Sequence, residues 1–416
     1  MRQCGICQAS QDGGLVREIE GRLFDFRPFG PRDPEESHRA ATPLELFFDL
    51  VIVIAVASAA EELHHGIAHG HAAEAVPIFL LAFAAIWWAW MNYSWFASAY
   101  DNDGPIYRLL SFWIMGGALL LAASIPRFYE GLEITLPVIA YVVMRIGMVA
   151  LWLIAGRNDP KHRSTAYRYA GGIALAQVFW VLLALHGQPG TLEFTALIVL
   201  GWLTEFAVPV YAERAARTPW HNDHIVERYG LLEIIMLGEI LLAGSLALAR
   251  GGEEIALASP FLHIALAALV IALSMWWLYF SREDHLRVHT ENVGLHFVWG
   301  YGHVVPFAGT AAVGAGFAVL VDVVAGKAEI PLRAGDIAVG LPLAAYMAGL
   351  WFVRDRFVLR GPARHILLVF AALVLLAAFV LPAALELMAL FSALSVFTRS
   401  ALATSQRRRD KGAPAP

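Results

Sequence analysis

The chain has 416 residues, enough for two or three soluble domains by length, yet 58% are hydrophobic and only 16% charged. A soluble protein could not hide that much apolar surface, so the composition excludes a soluble fold and indicates a polytopic membrane protein. The net charge of −5 is uninformative as a total. Apart from Arg407-Arg408-Arg409 nothing resembles a basic nucleic-acid face, so no nucleic-acid partner is expected.

Residues 1–42 are read as a polar, disordered cytosolic tail in which only the stretch from Arg17 to Phe26 could form a short surface helix. Cys4 and Cys7 are the two cysteines, and a redox or metal role would need a βαβ unit or two further ligands, neither of which lies nearby. The first apolar segment follows about forty polar residues, so no cleaved signal peptide is expected.

Beyond the tail, apolar runs of spanning length alternate with short polar loops. The expected class is an all-α transmembrane bundle of about 12 spans. The first six fall near 43–61, 76–98, 106–125, 134–155, 167–186 and 192–211. The second six fall near 227–249, 260–281, 295–321, 336–354, 364–381 and 384–400. The count falls to eleven if Leu381-Pro382-Ala383 only kinks one long helix.

The distribution of Lys and Arg sets the orientation. With the N-terminus in the cytosol, 25 of the 30 basic residues fall on the cytosolic side, four fall opposite, and Arg145 lies inside a span. Both termini are then cytosolic, with a basic tail over 401–416.

Spacing also suggests duplication. Asp49 precedes the Trp87-Trp88-Ala89-Trp90 run by 38 residues, and Glu239 precedes Trp276-Trp277 by 37. Tyr107 recurs 194 residues later as Tyr301, and the Leu192-Glu193 segment recurs 193 residues later at Leu385-Glu386. An offset near 190 implies two parallel six-helix halves, 43–212 and 225–400.

The ionisable residues inside the spans carry the functional reading, because charge at membrane depth is costly and marks a pathway or a partner. In the first span Thr42 can cap and Pro43 suits the first turn, while Glu45 and Asp49 lie one turn apart on one face. Glu45 could serve only as a cytosolic anchor; Asp49 lies deeper. In the seventh span Glu233 and Glu239 fall on different faces, and Gly238 would allow another helix to approach Glu239, the repeat mate of Asp49. Arg145 sits mid-span and requires a partner, for which Asp49, Glu239 and Glu205 are the candidates. His303 sits about nine residues into the ninth span and offers either a proton relay or a packed, hydrogen-bonded ring. Glu227, Arg228 and Arg108 read as interface ion-pair residues. His65 and His69, four apart in a His-rich outer loop, are spaced to share a metal, though solvated loop histidines explain them more simply. No metal or other cofactor is expected. There is no His-Glu-x-x-His, Gly-x-Ser-x-Gly or phosphate loop, so the chain is not read as an enzyme.

The run Pro43-Leu44-Glu45-Leu46-Phe47-Phe48-Asp49-Leu50-Val51 resembles the opening signature of the bacterial low temperature requirement protein A family. Glu227-Arg228-Tyr229-Gly230 through Leu237-Gly238-Glu239 resembles its second signature. Tyr107-Arg108-Leu109-Leu110 and Trp277-Leu278-Tyr279-Phe280 fit as well, so the resemblance covers roughly residues 40 to 400. It implies a multi-spanning protein of the bacterial cytoplasmic membrane associated with growth in the cold, and it supplies no mechanism. The residues themselves point to a secondary transporter or permease for a small molecule or ion, with proton coupling through Asp49 and Glu239 and with Arg145 as their counter-charge. The alternative is a membrane sensor or scaffold whose charges are static locks.

Overall fold

A computed structural model describes residues 29–37, 39–250, 259–281 and 293–412, with side chains described through 405 and, in the last stretch, from 295 onward. The Cys4–Cys7 pair, the Arg17–Phe26 segment, Arg282, Arg287 and the side chains of Arg407–Arg409 lie outside the described residues. Among those described, every regular element is a helix. They are α1 (Pro43–Ala68), α2 (Ala72–Tyr100), α3 (Pro105–Gly131), α4 (Thr135–Asn158), α5 (Arg163–His186), α6 (Leu192–Glu213) and α7 (Asn222–Arg250). There follow α8 (Pro260–Phe280), α9 (Val293–Gly302), α10 (Val304–Val324), α11 (Leu332–Leu350), α12 (Ile366–Phe379) and α13 (Ala384–Gly412).

Among the described residues, twelve helical stretches are long and apolar enough to cross a membrane, with α9 and α10 together forming one of them, Leu295–Val324. Local chemistry explains where the chain stops and turns. Pro43, Pro105 and Pro260 each open a helix, where the missing N–H costs nothing. Pro306 cannot donate to the Gly302 carbonyl, and the helix is interrupted at His303. The chain turns between α12 and α13, where Ala383 has φ of 50°, so the eleven-span option does not arise. Arg333 reaches the exposed end of α12, donating to the Leu381 carbonyl at 2.7 Å and to those of Ala377 and Ala378 at 3.3 Å.

The chain forms two compact units. The first takes in the described residues up to Ile52 together with Trp88–Ile225, and the second Val53–Trp87 together with Val226 onward. Inside the first unit α3 packs on α4, α4 on α5 and α5 on α6. Gly117 and Gly147 let α3 and α4 come close, since a Cβ on Gly117 would fall 2.9 Å from the Met144 nitrogen. Inside the second unit α10 packs on α11, α11 on α12, α12 on α13 and α13 on α8. There Gly309 and Gly316 of α10 lie against the α11 backbone at Pro342 and Ala338. A π-helical turn, Trp351–Asp355, follows α11 and places Arg354 and Asp355 in the interior of this unit.

Candidate functional site

In the first unit, three buried carboxylates are held in three different ways. Glu45 closes a reciprocal cap at the start of α1: the Thr42 N–H donates to its Oε2 at 2.8 Å, and its own N–H donates to Thr42 Oγ1 at 3.3 Å. Its side chain is fully buried, and His224 Nε2 lies 3.1 Å from Oε1. Asp49, one turn further in and equally buried, accepts the indole N–H of Trp90 at 2.7 Å.

Glu205 of α6 gathers donors from three other spans. Trp88 of α2 donates its indole N–H at 2.9 Å, Gln177 of α5 donates at 3.0 Å, and Arg145 of α4 donates through Nη2 at 3.3 Å. The Arg145 guanidinium also rests 5.0 Å from the Tyr141 ring centroid. Of the three partners open to Arg145, the structure brings Glu205 to it. A buried carboxylate with three donors suffers less from the loss of water than an isolated one, which is how this charge is tolerated in the bundle.

A second set of polar groups surrounds the end of this unit where α1 and α7 begin. His221 caps α7: its Nδ1 accepts the His224 N–H at 3.3 Å and its Nε2 lies 2.8 Å from the Glu36 carbonyl. Because a carbonyl can only accept, Nε2 carries the proton and the ring is the neutral tautomer. Ser98 Oγ accepts the His221 N–H at 2.9 Å. Nearby, Asp101 lies just beyond α2 and is buried; its carboxyl is pushed up to about 7, first by burial and then by the Glu45 charge, against the pull of the Asp103 N–H and Arg39. Arg108, in the first turn of α3, pairs with Asp103 of the partly exposed loop before it at 2.6 Å.

In the second unit, Glu233 of α7 is fully buried and accepts from Thr310 Oγ1 at 2.9 Å. His303 is also buried, with Nδ1 2.8 Å from the Trp299 carbonyl, so Nδ1 carries the proton. Its ring lies between 4.3 and 6.0 Å from those of Trp299, Tyr229, Phe307 and Tyr279, a packed aromatic cluster. Asp355 holds two buried arginines, Arg354 at 2.7 Å and Arg399 at 2.8 Å, and Arg354 also donates to the Tyr279 carbonyl at the end of α8. On α7, Glu227 is exposed and Arg228 is buried.

Glu239 differs from every group above. It is half-buried and has no hydrogen-bond or ion-pair partner among the described residues, and it lines a recess of about 570 Å³ within the second unit. Gly238 beside it faces open space, so the expected close approach does not occur there. The approach comes instead from Gly314 of α10, where a Cβ would sit 3.2 Å from the Glu239 Cβ. The recess follows α7 from Glu239 to Arg250, eleven residues and about 16 Å along the axis. Its mouth carries a compact charged group: Asp322 accepts from Arg250 at 2.6 Å and lies 2.7 Å from His64 Nε2. His65 lies at the same mouth, 3.8 Å from Glu61, and His69 Nδ1 is turned to the His65 carbonyl at 2.8 Å. No group of three or more His, Cys, Asp and Glu is placed to hold a metal ion among the described residues.

Several of these partners were invisible by periodicity. Trp88 and Trp90 look like interfacial anchors in sequence, but both are fully buried donors. Gln177 breaks an apolar run in Ala174-Leu175-Ala176-Gln177-Val178, and Asp322 interrupts Val319-Leu320-Val321-Asp322-Val323; each is a legible signal. His224 has none, because it lies in the polar first turn of α7, Asn222-Asp223-His224.

Twelve helices among the described residues that are long and apolar enough to cross a membrane, with ionisable groups packed among them, define a polytopic integral membrane protein. The chain belongs to the family of the bacterial low temperature requirement A protein (LtrA), whose model matches residues 40–399. It is similar to the uncharacterized protein RA0937 of Rhizobium meliloti (strain 1021), with 29% identity over 302 residues, 68% of this chain and 70% of that one. No solved structure matches it.

Proposed function

We propose that this protein is a secondary transporter or permease of the bacterial cytoplasmic membrane, coupled to protons, that moves its substrate chemically unaltered. The observation that carries this reading is Glu239: a carboxyl group on a membrane helix, without a protein partner among the described residues, facing a recess of about 570 Å³. A fixed structural charge is expected to be satisfied, as Glu205 and Asp355 are. A group that must bind and release a proton or ligand is instead left open to one. Asp49, a fully buried carboxylate on α1 that accepts the Trp90 indole N–H, is the candidate proton group of the first unit.

The Lys and Arg bias supports cytosolic termini, which puts the recess mouth at His64, Arg250 and Asp322 on the outer side. The offset near 190 supports duplication of an ancestral six-helix unit. Arg145, by contrast, is held with Glu205 in a closed network, and we assign it as a lock, not a gate. That network is also the observation favouring a static sensor or scaffold.

Carbodiimide labelling tests the reading, because dicyclohexylcarbodiimide modifies protonated carboxyls in apolar surroundings. In the purified full chain, Glu239 should label with a sigmoidal pH dependence, read by mass spectrometry of the α7 peptide. Failure of both Glu239 and Asp49 to react at any pH would contradict a proton-carrying role.

A further inference from the structure

The geometry of the recess points to a substrate class, an inference that rests on the transport reading above: a small primary or secondary amine, bound as its ammonium ion with Glu239 as counter-ion and in competition with a proton. The exchange balances as written. The Glu239 carboxylic acid and R-NH3⁺ give the Glu239 carboxylate paired with R-NH3⁺, and one proton leaves for solvent.

Four observations narrow the class. First, charge: six ionisable side chains line the recess besides Glu239, namely Glu61, His64, His65, Arg250, Asp322 and Lys327. With neutral histidines, Arg250 and Lys327 face Glu61, Asp322 and Glu239, which leaves one negative charge. That charge vanishes when Glu239 takes a proton or pairs with a monovalent cation. Asp322 is already engaged by Arg250 and His64, and Glu61 is exposed at the mouth beside His65, so the open acceptor inside the recess is Glu239. An anionic substrate would meet an uncompensated carboxylate and is disfavoured.

Second, ligand number: a hard inorganic cation needs several oxygen donors around it. One open carboxylate among Ala, Leu, Gly and Val does not supply them, and no metal-binding group is found among the described residues. Third, ring chemistry: quaternary ammonium ions are recognised by aromatic faces. The lining has no Phe, Tyr or Trp, so a nitrogen that can donate N–H to the carboxylate fits better. Fourth, walls and size: Ala60, Leu242, Ala243, Leu246, Ala315 and Ala318 give an apolar surface between Glu239 and the charged mouth. Volumes of roughly 300–1,000 Å³ are those of small-molecule sites with a few placed polar groups. The fitting ligand therefore has one ammonium head and a compact apolar body.

The test uses the full chain in lipid nanodiscs and reads the rate at which carbodiimide modifies Glu239. Three probes of similar bulk are compared: 2-phenylethylamine, 2-phenylethanol and tetraethylammonium. At ten times its dissociation constant, 2-phenylethylamine should slow labelling of Glu239 by about tenfold through mass action. The alcohol and the quaternary ion should leave the rate unchanged. Addition of the amine at weak buffering and a pH where Glu239 is protonated should release about one proton per site, and Glu239→Gln should abolish that release. Equal protection by the alcohol would mean apolar occupancy alone and would overturn the inference. Labelling of Glu239 that the amine does not slow would overturn the amine class while leaving the proton site standing. No labelling of Glu239 at any pH would remove the site itself, and the inference with it.

Discussion

At the scale of single residues, the buried charges of this protein separate by how completely they are satisfied. Glu205 has three donors from three helices, and removing Arg145 would leave a buried carboxylate without its counter-charge. Arg145→Leu should cost about 3–5 kcal/mol in a thermal or denaturant unfolding series in mixed micelles. The double variant Arg145→Leu, Glu205→Leu should recover part of that loss, because it removes both charges. Asp101 makes a pH prediction with a definite sign. Its folded-state carboxyl titrates near 7, above the unfolded range near 4, so between those values the folded state binds more protons. Stability from this group therefore falls as pH rises from about 4 to 7, and the penalty is fully present above 7. Asp101→Asn, which keeps an oxygen to accept the Asp103 N–H, should flatten that part of the stability profile. An unchanged slope would show that Asp101 is not the group responsible.

At the scale of elements, the helices were legible because apolar runs of about twenty residues admit only helical spans in a bilayer. Their ends were legible where the chemistry is local. Pro306 explains the interruption at His303, and Leu381-Pro382-Ala383 turns the chain and does not merely kink it. Helix partners were not legible, since they depend on which small residue meets which backbone. Gly238 looks like the contact glycine of α7, yet Gly314 of α10 fills that role, while Gly316 of α10 meets α11. A side chain on Gly316 would run into the Ala338 carbonyl of α11, which is backbone and cannot swing aside. Gly316→Leu should therefore destabilise by at least the 1–3 kcal/mol typical of overpacking, roughly, and Gly116→Leu, which faces open space, should not. Thermal melts of the two variants in one detergent make the comparison. The tryptophans carry the same lesson. Their interfacial reputation hid the fact that Trp88 and Trp90 each present an indole N–H to a buried carboxylate.

At the scale of the whole molecule, composition was sufficient for the class and charge asymmetry for a proposed orientation, because both are sums that need no contacts. The compact units do not follow chain order: the stretch Val53–Trp87 groups with Val226 onward. Long-range grouping of that kind leaves no trace in hydropathy. The candidate site was legible in part. Glu239 stood out as a carboxylate in an apolar run, whereas the His64–Asp322–Arg250 mouth joins residues 258 and 72 positions apart and needed the fold.

The central claim is transport through a recess centred on Glu239, and alternating exposure of that recess tests it without knowledge of the substrate. The chain has two cysteines, Cys4 and Cys7, so a variant with both changed to Ser offers a clean background for Ala318→Cys on the recess wall. In sealed vesicles of defined orientation, a membrane-impermeant maleimide is applied first from one side and then from the other. A transporter exposes the recess to each side in turn, so Cys at 318 should react from both, with the balance shifted by 2-phenylethylamine. Reaction from one side only, unmoved by pH or amine, would contradict transport and support a static scaffold.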